Sequence, residues 1–226
     1  MGIDLLIILG ILVIPMIAQI YVSSTYNKFK QVETDKGKSG FEVARKILDE
    51  NGLQDVHIVE TTGTLSDHYD PKRKVIRLSK EVFDGETVAA AAIAAHEVGH
   101  AIQDKENYSW LRIRTFIYPI VNIATSISYF IIIIGFILEA VNWFYLGIAF
   151  VALGLLFQLI TLPVEFDASK RAKENLTKYG LVSDIEHDGS AKVLNAAAMT
   201  YVAGVLASAL QLLRYILLFN NSRNRR

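Results

Sequence analysis

Apolar residues in this 226-residue chain gather into long blocks that polar residues barely interrupt. The first runs from Leu5 to about Val22, with no charge between Asp4 and Lys28. The second covers about Phe116 to Leu138 and the third about Val141 to Leu162, with only Glu139 and Ala140 between them. The fourth, about Ala196 to Phe219, carries Arg214 near its end, where a long side chain can snorkel to the interface. A helix crosses the hydrocarbon core of a bilayer with roughly 20 apolar residues, so each block is long enough to span. Four transmembrane helices are predicted, the middle two as a tight hairpin. The first block has no basic segment before it and reads as a permanent anchor, not a cleaved signal peptide.

Two polar regions remain, Tyr26 to Thr115 and Pro163 to Asn195. An even number of spans lies between them, so both face one compartment. Ser39 to Gly52 has the apolar spacing of an amphipathic helix with a glycine stop. Val56 to Glu60 and Lys74 to Leu78 read as short strands, joined through the turn-rich stretch Leu65 to Pro71. Glu86 to Asp104 is alanine-rich and free of proline, a helix with Asp84 as its expected N-cap. Pro163 is expected to end the third block, with a new helix running on to Tyr179. The expected domains are an anchor (1–25), a larger polar region that holds the alanine-rich helix (26–115), the hairpin (116–162), a helical segment (163–195) and a last span with a basic tail (196–226).

Composition narrows the class further. Hydrophobic residues make up 52% of the chain, the formal net charge is zero and there is no cysteine. Net charge therefore gives no support to nucleic-acid binding, and neither disulfides nor thiolate metal sites are available.

Candidate chemistry lies in Ala94-Ala95-His96-Glu97-Val98-Gly99-His100. Residues four apart share a helix face, so His96 and His100 can turn ring nitrogens toward one tetrahedral cation. Glu97 then lies beside the open position as a general base for an acidified water. Hydrolytic zinc sites use three protein ligands, so one is missing from the motif. Glu165 is the best candidate, because a charge directly after a membrane-length segment needs a reason and a metal partner is one, with an interfacial carboxylate facing water as the alternative. Asp104, His187, Asp167 and Glu174 are its rivals, although Asp104 sits a turn too far along the His100 face.

Several separated stretches, LSDHYDP (65–71), VIRLS (75–79), AAHEVGHAIQ (94–103), LPVEFDAS (162–169) and NAAAMTYVAG (195–204), together resemble the YugP-like family of membrane neutral zinc metallopeptidases. That family is similar to the larger HtpX-like group, in which a glutamate on a later helix completes the metal site. The resemblance implies a mainly α integral membrane protein with a small α+β zincin-like catalytic domain, one zinc ion per chain and a polypeptide substrate. It gives Glu165 the third-ligand role. HtpX-like proteins usually carry aspartate four residues after that glutamate, whereas Ser169 stands here. A hydroxyl can bond a ligand histidine without supplying negative charge, and Asp167 is the nearest substitute.

His68 is a candidate oxyanion donor, with a turn-stabilising role as its alternative. Tyr201, at the start of the last span, reads as an interfacial tyrosine. The reading is a multi-pass cell-membrane zinc endopeptidase acting on membrane or membrane-adjacent polypeptides, with partner membrane proteins unidentified and no nucleic-acid partner. Basic residues near the membrane favour a cytoplasmic catalytic side. A scaffold with a structural zinc, or a metal transporter, would be the competing classes.

Overall fold

The computed structural model describes residues 2–138 and 140–223, so Glu139 and the tail residues Arg225 and Arg226 lie outside the described residues. The chain is mainly helical: α1 (Gly2–Phe29), α2 (Gly40–Glu50), α3 (Lys80–Phe83), α4 (Val88–Lys105), α5 (Ser109–Ile137), α6 (Val141–Lys178) and α7 (Asp184–Arg223). Three short strands, β1 (His57–Thr61), β2 (His68–Asp70) and β3 (Val75–Ser79), lie between α2 and α3. Among the described residues, four helices are long and apolar enough to cross a membrane, in α1, α5, α6 and α7.

One compact unit takes in residues 1–19, 112–162 and 200–226. Its apolar side chains point outward: Leu6, Phe116, Ile123 and Phe130 are each more than 60% exposed. Such a surface is stable only against an apolar solvent. The α5–α6 hairpin packs through glycine, since a Cβ on Gly135 would meet the Phe144 nitrogen at 2.8 Å. Polar side chains of the unit bond across its helices, Gln158 Nε2 donating to Ser208 Oγ at 2.8 Å and Gln211 Nε2 to Tyr129 OH at 2.6 Å, while Gln158 Oε1 is buried without a partner among the described residues. Arg214 Nε lies 2.9 Å from Asp4 Oδ1, in the first turn of α1, so its charge is paired near that end of the helix.

The second unit comprises residues 20–111 and 163–199. Ser39 caps α2 through a reciprocal capping box with Glu42, and Gly52 takes the left-handed conformation (φ +65°) just after it. Val43, Ala44, Ile47 and Leu48 of α2 then pack with Ile76 and Leu78 of β3 and with the alanines of α4. Fourteen of the 18 residues of α4 are buried. Its small side chains are what permit neighbours to close around it on several sides.

Several expected boundaries move. Thr87, not Asp84, caps α4 by accepting from the Ala90 N–H, while Asp84 closes the short helix α3. The turn-rich stretch contains a strand: β2 pairs antiparallel with β3, which pairs parallel with β1, in the order β1-β3-β2. The parallel pair needs a crossover, and the chain uses part of that connection to pave the other edge of β3. Pro163 sits inside α6 instead of ending it, because proline removes one backbone donor while the turns on either side keep theirs. Likewise α7 runs unbroken through residues 195 and 196.

Gly99, between the two motif histidines, meets α6 backbone to backbone. A Cβ there would lie 2.6 Å from the Ala168 carbonyl oxygen, and that oxygen belongs to a helix that cannot give locally. Gly99→Ala is expected to cost a net of about 1–2 kcal/mol, the clash outweighing the gain in helix propensity. Thermal unfolding of the detergent-solubilised variant checks this, and an unchanged midpoint would show that α4 and α6 do not touch here.

Candidate metal centre

α4 presents His96 and His100 one turn apart, and α6 brings Glu165 to the same face. Glu165 Oε2 lies 3.3 Å from His96 Nε2 and 3.6 Å from His100 Nε2, and one ligand atom from each of the three residues falls within 4.8 Å of the others. Atoms bound to a single tetrahedral zinc at about 2.0–2.1 Å lie roughly 3.3 Å apart, so these spacings fit a shared ion. The rings meet edge to face at 84°, which directs both Nε2 atoms inward without stacking. Glu165 is 2% exposed, a carboxylate that burial would penalise unless something positive faced it.

The outward ring nitrogens are also occupied. Ser169 Oγ lies 3.2 Å from His96 Nδ1, where the sequence placed a hydroxyl. Gln103 Oε1 lies 3.1 Å from His100 Nδ1. Asp167 touches neither histidine. It instead accepts from Gln103 Nε2 at 2.8 Å and from Arg171 Nε at 2.6 Å, and Arg171 pairs with Glu106 at 2.8 Å. Gln103 was missed in the sequence, although its place three residues after His100 puts it on that face of the helix.

Glu97 is 7% exposed. Burial pushes its carboxyl up to about 7, Glu165 and Asp67 add to the rise, and His96 and a hydrogen bond from the Tyr69 backbone act the other way. A proton acceptor near neutrality suits general-base work.

The chain matches the family model described as "putative neutral zinc metallopeptidase" over residues 4–220. The chain belongs to that family. It is also 46% identical over 207 residues, 92% of each chain, to a protein of Bacillus subtilis (strain 168) called "Putative membrane protease YugP". No solved structure matches. Family membership implies zinc, and the largely buried His-His-Glu cluster of this family member could hold it: two imidazoles and one carboxylate would leave a fourth position open, the donor set of a hydrolytic site.

Other candidates fall elsewhere in this metallopeptidase-family chain. Asp104 accepts from Tyr69 OH at 3.0 Å, tying β2 to α4 and raising the phenol's pKa through burial and the neighbouring charge. His187 lines a separate cavity of about 360 Å³ with Asp35, Lys36 and Ser183, and Glu174 pairs with Lys170. His68 is exposed, its Nδ1 2.8 Å from the Ser66 carbonyl oxygen. Alternation along β2 turns it to the face opposite Tyr69. Tyr201 is 37% exposed on α7.

Glu165→Ala is expected to weaken zinc binding by tenfold or more, on the order of what loss of a supporting group alone costs, while His187→Ala leaves it unchanged. Competitive chelator titration of the two variants checks the assignment, and the reverse ranking would move the third ligand to His187.

Proposed function

We propose that this chain is a multi-pass membrane zinc endopeptidase whose substrates are membrane or membrane-adjacent polypeptides. The observation that carries the reading is the convergence of His96, His100 and Glu165 beside the buried carboxyl of Glu97. His96, His100 and Glu165 would hold one zinc ion per chain. When bound, zinc supplies a Lewis acid that polarises the scissile carbonyl and makes water acidic enough to surrender a proton near neutral pH. Glu97 takes that proton as the water attacks, then delivers it to the departing amine.

Unit 2, with an amphipathic helix, a small sheet and the HExxH helix, reads as a zincin-like catalytic domain. Its edge strand β2 runs against α4. An extended peptide added along that edge would gain main-chain hydrogen bonds that depend little on its sequence. His68 remains the candidate oxyanion donor, a role in which its ring would exchange the Ser66 carbonyl for substrate. A metal transporter is the weaker reading, because α4 is not among the helices able to cross a membrane.

Glu97→Gln is expected to abolish peptide cleavage while leaving about one zinc per chain. Zinc content by atomic emission, measured beside casein cleavage with and without chelator, tests both halves. Loss of metal in the variant would mean Glu97 is misassigned, and cleavage at the parental rate would sink the hydrolase reading.

The catalytic side is proposed to be cytoplasmic, with both termini external. Lys28, Lys30, Lys36, Lys38, Lys105, Arg112, Arg114, Lys170, Arg171, Lys173, Lys178 and Lys192 stand near its membrane border, against few basic residues on the other side. Because the chain has no cysteine, single Thr64→Cys and Ser222→Cys variants can be labelled on intact cells with a membrane-impermeant maleimide. Position 222 should label and position 64 should not. The opposite pattern would reverse the orientation.

A further inference from the structure

Gln103 is completely buried, yet it is the most polar residue on the inner face of α4 beyond the motif itself. All of its hydrogen-bonding atoms are engaged. Nε2 donates to the Val164 carbonyl oxygen and to Asp167 Oδ2, each at 2.8 Å, and Oε1 faces His100 Nδ1 at 3.1 Å. Reversing the amide would set its oxygen against two other oxygens, a backbone carbonyl and a carboxylate, neither of which has a proton to offer. Asp167 is itself held as an acceptor by Arg171, whose guanidinium bonds Asp167 at 2.6 Å and Glu106 at 2.8 Å. The amide therefore has one allowed orientation. With its oxygen toward the ring, His100 Nδ1 must carry a proton, and in the neutral ring the lone pair then sits on Nε2, which faces Glu165 at 3.6 Å.

We propose that Gln103 is a positioning residue for the metal centre: oriented by Asp167 and the Val164 carbonyl, it holds His100 in the Nδ1–H tautomer, with Nε2 free to bind metal. The inference rests on the zinc-site reading above. It also explains how an aspartate two residues after Glu165 serves the site without touching a ligand. Asp167 acts through the amide, and the histidine receives a neutral acceptor in place of a carboxylate. Because the same amide grips the carbonyl of Val164, the residue before Glu165, one side chain sets both the tautomer of one ligand and the backbone position of another.

The test begins with the parent protein, chelator-treated in detergent micelles and labelled with 15N only at histidine. The buffer is alkaline enough that free imidazole is neutral, and His100→Gln is used to assign the signal. The two-bond proton–nitrogen pattern distinguishes the tautomers, and His100 should show Nδ1–H. Gln103→Leu should introduce the Nε2–H form and weaken zinc binding by about tenfold to a hundredfold in chelator competition. Gln103→Glu combined with Asp167→Asn returns an acceptor to the ring and a donor to that acceptor but leaves the Val164 carbonyl facing an oxygen, and should recover part of that affinity. A filled volume alone would not produce this rescue. His100 found as Nε2–H in the parent, or zinc binding by Gln103→Leu within twofold of the parent, would overturn the proposal. The parent measurement decides even if the leucine variant does not fold. A parent that shows Nδ1–H at His100 yet takes up no zinc would instead sink the metal reading and leave the orienting role of Gln103 standing.

Discussion

The close approach of α4 to α6 is the constraint on which the rest of the site depends. Two helices normally pack with axes 8–10 Å apart, the distance set by the side chains between them. At Gly99 there is no side chain, and the Ala168 carbonyl occupies the place a Cβ would take. Closure at that point lets histidines from one helix and a carboxylate from the other share a centre only a few ångströms wide. Alanine at most other buried positions of α4 serves the same end, trading hydrophobic area for proximity.

Proximity brings an electrostatic cost. Glu97, Glu165 and Asp67 carry carboxyls in or near a poorly solvated region, and their mutual repulsion adds to the desolvation penalty. The surrounding structure offsets part of it. Asp67 accepts from the backbone and hydroxyl of Ser79, and Arg171 bridges Asp167 to Glu106. A divalent cation among His96, His100 and Glu165 would neutralise more, so metal binding and folding of this unit should be coupled.

The two compact units solve different solvation problems. One buries little and exposes apolar side chains, the arrangement suited to lipid. The other builds a core from α2, the sheet and α4, and keeps its charged groups at the site and surface. The helices α6 and α7 contribute residues to both, so Glu165 belongs to the same continuous helix as an apolar span.

Much of this was legible in the sequence because it depends on local chemistry. Length and apolarity announce the four long helices, the Ser39–Glu42 box and Gly52 mark α2, and four-residue spacing alone puts His96 and His100 on one face. Helix boundaries were less legible, since Thr87 and Asp84 are both competent caps and only the packing of α3 against α4 chooses between them. Pro163 misled for a related reason: one lost hydrogen bond is a local penalty, and the packing of the residues around it outweighs that penalty. Strand β2 is three residues long, too short for alternation to register, and it exists because β3 offers an edge. Gln103 was invisible as a functional residue because its partners, Val164 and Asp167, lie more than 60 positions away. Sequence determined which groups were present and which faces they share along a helix; tertiary structure alone decided which faces meet, because hydrogen bonds and metal geometry depend on separation in space, which helix packing sets and residue spacing does not.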